Sequence, residues 1–302
     1  MRLPDRERGF SLIEMVIAIV VMSIMAIGLV QFIVDSSAGY TLTASRNQVS
    51  SAGRIVIDRI AMDLHNALPE SVRYSAVKGS TVPNQYYAGD QCLEFIPVTS
   101  ATMYIDPTFR PSAANSNPFD VANFVPMPAS LTGHYAVIYP TGPEDLYKDA
   151  FTNTEVIVEV TIADANTTDG TNEVDPVTTH RFKRRSGADR LFLTGTPVSY
   201  CITGRKLYRY SDYGFHTTQL EPVYDDGLAT CPSADCLPAS TNDVGGGSRV
   251  LISDSVDNAG LQAFDYLAAS RRRNAVIQLD MNFSLDGQEV RLTHEVMQQS
   301  TP

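Results

Sequence analysis

The stretch Arg8-Gly9-Phe10-Ser11-Leu12-Ile13-Glu14, with the apolar run behind it, decides how this chain is built. From Phe10 to Val34 there are 25 residues, and Glu14 is the only charged one. One helix of that length can cross the roughly 30 Å hydrocarbon core of a bilayer. A carboxylate placed there costs about 2.5–3.5 kcal/mol on insertion scales, and such groups are as a rule functional and paired. Glu14 therefore needs a positively charged partner. The natural one is an amine made by cutting the chain just before Phe10. Residues 1–9 carry three Arg against one Asp and one Glu, so this segment is expected to stay on the cytoplasmic side. A secretory signal is cut after its apolar region, at a small-residue site. No such site follows Val34, so the hydrophobic segment is expected to remain attached.

At these residues the sequence resembles the type IV prepilins and the type II secretion pseudopilins. Their shared signature is a short basic leader, Gly, Phe or Met, then [ST]-L-[IVL]-E and a long apolar helix. GFSLIEMVIAIVVMSIMAIG, residues 9–28, fits it at every motif position. The resemblance implies that a prepilin peptidase cuts between Gly9 and Phe10 and N-methylates Phe10. It also implies that Glu14 neutralises the terminal amine of a neighbouring subunit in a filament. A signal anchor with a chance glutamate is the competing reading, and the rarity of unpaired charges in membrane segments disfavours it.

Removing the leader leaves 293 of 302 residues, enough for one sizeable globular domain beyond the helix. Net charge is −11 for the full chain, and −12 without the leader, with 20 basic against 32 acidic residues. That acidity argues against general nucleic-acid binding, which needs cations to displace phosphate counterions. It suits a self-repelling extracytoplasmic domain. The four cysteines are Cys92, Cys201, Cys231 and Cys236, and four allow three pairings. Cys231 and Cys236 bracket a tight turn and could bridge locally. Cys92 and Cys201 sit in the strand-like runs QCLEFIPV and PVSYCIT and could join them. Zinc is the alternative, but paired C-x-x-C spacing is missing and an oxidising compartment favours disulfides.

The helical period continues past Val34. Val49, Ala52, Val56, Ile60, Leu64 and Ala67 line one face, and Arg54 with Asp58 and Arg59 with Asp63 stand four apart, where opposite charges can meet. Pro69 ends the run. The expected layout is α+β and pilin-like: a leader over 1–9, a helix over 10–68 with 10–34 in the membrane or filament core, and a β-rich domain over 69–302. Ser36, Ser37 and Gly39 are the expected site of a bend or local melting. Beyond Pro69, strand-like runs cover 93–98, 135–139, 155–162, 190–193, 198–203, 207–210 and 250–252, with another over 262–267. Residues 275–283 and 289–296 flank Asp286-Gly287, a strong hairpin signal. Two segments, 99–133 and 212–248, read as long loops, which are often functional.

Other constellations are weak. Asp164 to Gly170 hints at a calcium loop in the wrong register, so a turn is preferred. Lys183-Arg184-Arg185 and Arg271-Arg272-Arg273 read as solvated strand ends, with an inter-subunit contact as the alternative. The histidines at 65, 134, 180, 216 and 294 are scattered, and His65 belongs to the polar helix face. With no nucleophile elbow, P-loop or H-E-x-x-H, no enzyme, metal or cofactor is expected.

Within the resembling group, size and layout are most similar to the larger minor pilins, MshO-like proteins of the MSHA pilus first, with PilW-like pilins and GspJ-like pseudopilins beside them. The residues are RIAMDLHNALPES (59–71), CLEFIPV (92–98), SYC (199–201), KLYRY (206–210) and LTHEV (292–296). This implies as partners the prepilin peptidase, an inner-membrane assembly platform, and other major and minor pilins. It implies insertion in the inner membrane of a Gram-negative cell with a periplasmic domain, then a place in a surface pilus. There the subunit would help to start assembly, Glu14 suiting a position beneath the tip. A pseudopilin of a type II secretion machine and a tip adhesin using the two loops are the alternatives. Replacing Gly9 by a bulkier residue such as valine is expected to block cleavage. The readout is a slower-migrating precursor on a gel of cells that contain the peptidase; unchanged mobility would contradict the cleavage site.

Overall fold

In a computed structural model the described residues are 11–74, 91–110, 118–130, 132–164, 170–220, 222, 236–238, 247–258, 261–268 and 274–298. They open with α1, Leu12–His65, a single helix of 54 residues and about 80 Å in length at 1.5 Å per residue. It runs unbroken through Ser36-Ser37-Gly39, so the expected local melting does not occur. No proline lies in the helix, and one glycine costs only about 1 kcal/mol relative to alanine. The hydroxyls of Thr41 and Thr43 turn back onto the carbonyls of Ala38 and Gly39 within the helix, both at 2.9 Å.

The helix stops at His65 with Asn66 as its C-cap, short of Leu68. Tertiary hydrogen bonds take over the next residues. Leu68 N–H donates to the Ile96 carbonyl at 2.7 Å, and the Asn66 carbonyl accepts from Val98 N–H at 2.8 Å. From Val49 on, one face is buried: Val49, Gly53, Val56, Ile57, Ile60, Ala61 and Leu64. Ala52 is exposed, contrary to the periodicity, and Gly53 occupies the inward position instead. A Cβ at Gly53 would lie 2.8 Å from Phe283 Cδ2 and 2.9 Å from Leu292 Cδ1. The glycine is thus where the helix comes closest to the sheet, not a weak point. Arg59 and Asp63 make the expected contact at 3.7 Å.

After α1 come β1 (Arg73–Tyr74) and β2 (Gln91–Phe95). The next six strands are β3 (Val98–Met103), β4 (Phe119–Ala122), β5 (His134–Val137), β6 (Ile157–Asp164), β7 (Thr171–Pro176) and β8 (Arg190–Thr194), with a short helix α2 (Pro143–Leu146). They form one sheet in the order β3-β8-β5-β6-β7-β4. The sheet curls until its edges touch: Tyr104 bridges Val121, and Ile105 N–H donates to the Asp120 carbonyl at 2.9 Å. Its interior holds Tyr104, Phe119, Val121, Val160, Phe182 and Leu191, among others. The 99–133 segment is therefore not one long loop, since β3 and β4 lie in it. Thr, Ser and Ala dominate β3, so its strand signal is weak.

The chain then returns through β9 (Val198–Thr203), β10 (Lys206–Ser211), β11 (Ser248–Ser253), β12 (Phe264–Leu267), β13 (Ala275–Leu285) and β14 (Gln288–Gln298). Two sheets result, β1-β2-β9-β10-β11 and β12-β13-β14. Both contribute to the core that covers the second half of α1. The hairpin turn at Asp286-Gly287 has two positive φ angles, 50° and 76°, with Leu285 opposite Gln288. His294, on β14, is exposed.

Because β2 and β9 are neighbours, residues 98–194 form a lobe inserted between two paired strands. Pairing continues across the neck: Phe95 faces Val198 on one side of it and Val98 faces Thr194 on the other. The outer face of β5 and β6 packs onto the segment that follows α1, through Leu68, Ile96, Val137 and Ile157.

Gly53→Val is expected to lower stability by about 1–3 kcal/mol, because Phe283 is fully buried and cannot step aside. A lower thermal midpoint of the detergent-solubilised protein checks this, and an unchanged midpoint would contradict the close approach.

Candidate functional site

Residues 12–44 carry no buried side chain. Leu12 is 83% exposed and Phe32 69%, and the apolar surface continues around the helix. Among the described residues this is the one helix long and apolar enough to cross a membrane. Its polar groups are largely satisfied within the helix: Ser23 Oγ donates to the Ile19 carbonyl at 2.7 Å, and Gln31 Nε2 to Asp35 at 3.1 Å. Such internal satisfaction is what a hydrocarbon environment demands.

Gly9 and Phe10 lie outside the described residues. Glu14 sits in the first turn of α1, and Ser11 is the N-cap, its Oγ accepting from Glu14 N–H at 3.3 Å. Ser-x-x-Glu at a helix start is the capping-box spacing. Glu14 therefore has a local physical role: an acid at a helix N-terminus favours the helix dipole. The Ser11-x-x-Glu14 spacing is visible in the sequence.

Cys92 and Cys201 form a disulfide across directly paired residues of β2 and β9, with Cα atoms 4.1 Å apart. Cys231 lies outside the described residues, so its pairing with Cys236 does too. No cysteine among the described residues is free. The Arg271-Arg272-Arg273 run, most of 212–248 and residues 165–169 of the suggested calcium loop also lie outside them.

The other basic cluster is not a solvated strand end. Lys183 Nζ donates to Asp145 Oδ1 at 2.8 Å, Arg184 Nη1 to Asp145 Oδ2 at 2.5 Å, and Arg185 stacks over the Phe109 ring at 4.7 Å. Asp145 is nearly buried. Burial works to raise its pKa, but hydrogen bonds from Arg184, Lys183 and Thr141 outweigh it and hold the carboxyl well below the usual carboxylate range. Sequence reading missed this because α2, which presents Asp145, is only one turn. The histidines are dispersed: His65 and His294 are exposed. One ring nitrogen each of His134, His180 and His216 hydrogen-bonds a backbone carbonyl at 2.9–3.0 Å. No group of three or more His, Cys, Asp or Glu suited to a metal ion occurs among the described residues.

A second polar centre was not legible in the sequence. Glu94, 1% exposed, accepts from Arg73 Nε at 2.6 Å and from Tyr213 Oη at 2.9 Å. Burial pushes its carboxyl upward against the pull of Arg73 and Tyr213.

The family model for the prokaryotic N-terminal methylation motif matches residues 4–30, under a tenth of the chain. No curated protein and no solved structure matches it. The chain thus carries a type IV pilin-like prepilin signal, followed by an apolar helix and a β-rich domain. That signal supports a pilin-like or pseudopilin protein, and it implies processing by a prepilin peptidase, an inner-membrane anchor and assembly with other pilins.

The Asp145 pair gives a pH dependence of definite sign. A carboxyl held low in the folded state adds stability above its unfolded pKa, near 3.8, and that stability is lost as pH falls through the folded value. Asp145→Asn is expected to be destabilising at pH 7, with its deficit against wild type shrinking steadily below about pH 4. Denaturant midpoints measured from pH 7 to pH 2 check it; a pH-independent deficit would contradict the pairing.

Proposed function

We propose that this chain is a minor pilin of a type IV pilus, of the MSHA type, which contributes to the start of pilus assembly. The prepilin peptidase cuts between Gly9 and Phe10 and methylates Phe10. The subunit waits in the inner membrane with residues 10–34 in the bilayer and residues 69–302 in the periplasm. It then moves into a filament in which neighbouring helices take the place of lipid.

The observation that carries this reading is the division of α1. From Val49 onward the helix is covered on one face by the chain's own sheets, while residues 12–44 are covered by nothing among the described residues. Such a surface needs lipid or other helices around it. The acid in that surface, Glu14, is then matched by the terminal amine of the next subunit. A pseudopilin of a type II secretion machine would share the same motif, and the neighbouring genes distinguish the two.

Because Ser11 and Glu14 also form a local cap, the test must separate charge from capping. Glu14→Ala and Glu14→Gln are both expected to reduce incorporation into filaments severalfold, whereas Ser11→Ala, which loses only the cap, keeps most of it. The measurement is the subunit's abundance in sheared filaments relative to membranes. Wild-type incorporation of Glu14→Gln would show that charge pairing is not the role of Glu14.

A further inference from the structure

The segment 213–217 leaves the end of β10 and lies across the seam between the helix-bearing sheets and the inserted lobe. It is held from both sides. Arg73 donates to the carbonyls of Thr217 and His216 at 2.8 and 2.9 Å, while its Nε grips Glu94 and its guanidinium lies 3.7 Å from the centre of the Tyr147 ring. From the inserted lobe, the Asp149 carboxylate accepts from Thr217 N–H at 3.0 Å and from its hydroxyl at 2.9 Å. This double hold plants Phe215 edge-on against Tyr135 and Phe151, with ring centres 4.7 and 5.2 Å apart.

The three rings are only half-buried. They line an open groove of about 350 Å³ at the seam. Its charges do not balance. Lys148 is neutralised by Glu155 at 2.5 Å, and His216 Nδ1 stands 4.0 Å from Asp149 Oδ1, which leaves the carboxylate of Glu159 without a cation beside it. Glu159 stands directly opposite Tyr135 in the β5–β6 register, is exposed, and has no ion pair among the described residues. Aromatic surface with unbalanced negative charge beside it is the chemistry that receives an apolar stem ending in a cation. The net charge of −11 draws cations toward the surface as a whole.

We propose that this groove receives a lysine or arginine side chain from an exposed segment of a partner protein. The stem lies on Tyr135, Phe151 and Phe215, and the charged head reaches Glu159 and Asp149. A neutral ligand such as a sugar would use the rings but would leave the Glu159 carboxylate uncompensated. The inference does not depend on which filament the subunit joins, so it can fail without touching the pilin reading.

The test uses the full-length protein in detergent and two fluorescein-labelled peptides. In one, lysines and arginines are spaced by glycine and serine; in the other, norleucine and citrulline replace them. Fluorescence anisotropy is expected to show the basic peptide binding about tenfold tighter than the neutral one, a difference of roughly 1.4 kcal/mol. Glu159→Gln should remove most of that preference, and Glu159→Lys all of it. Both substitutions are at an exposed position, so loss of fold is not at issue. Phe215→Leu should weaken both peptides. Glu289→Lys, the same charge change at an exposed site on β14, should leave binding within about twofold. Equal binding of the two peptides would overturn the proposal. So would equal losses from Glu289→Lys and Glu159→Lys, which would reveal unspecific attraction. Binding of a neutral oligosaccharide that Phe215→Leu abolishes, with no basic-peptide binding, would also overturn it.

Discussion

Apolar helix surface has to be covered, and in this protein the covering is divided between the chain itself and something outside it. The hydrophobic effect acts on all of α1. The sheets reach only as far as the stretch that begins at Val49, where Gly53 lets β13 and β14 come into contact with the helix backbone. The rest of the architecture follows from satisfying that lower half. Tyr200 and Arg209 reach Asp63 at 2.7 and 3.0 Å, and Gln298 closes the helix end by donating to the carbonyls of Ala67 and Leu68. The upper half is left for lipid or for other helices, and the chain encodes both states with one uninterrupted element.

Much of this was legible. The 25-residue run with one acid, the 3.6-residue period after Val49 and the Asp-Gly hairpin are local signals that tertiary context did not override. The paired strands of Cys92 and Cys201 were also readable as runs, although which cysteines join depends on register, which a sequence states only indirectly. Ala52 and Gly53 show the limit of periodicity. A helical wheel ranks alanine above glycine as an inward residue, yet the space beside Phe283 admits only the smaller one.

The inserted lobe was the least readable part. Strand β7, Thr-Asn-Glu-Val-Asp-Pro, has the composition of a turn. It holds its place because Asn172 turns inward and accepts from Phe124 N–H at 2.9 Å. Lys183-Arg184 looked like a water-facing run for a similar reason: the acid they grip lies about 40 residues earlier, on a helix too short to leave a periodic trace. Contacts of that range are created by the fold and have no local signature. The same holds for Arg73 and Glu94, whose pairing is set by the β1–β2 register.

The neck of the inserted lobe bears on how this molecule carries tension. Any pull applied to residues 98–194, with α1 held fixed, must pass through two adjacent strands into the helix-bearing sheet. Those strands pair on both sides of the neck, so the load is shared between them. Three residues below Phe95, the Cys92–Cys201 bond ties them covalently. Peeling of β2 from β9 that started at the neck would be arrested there, before it reached the strands that grip the spine.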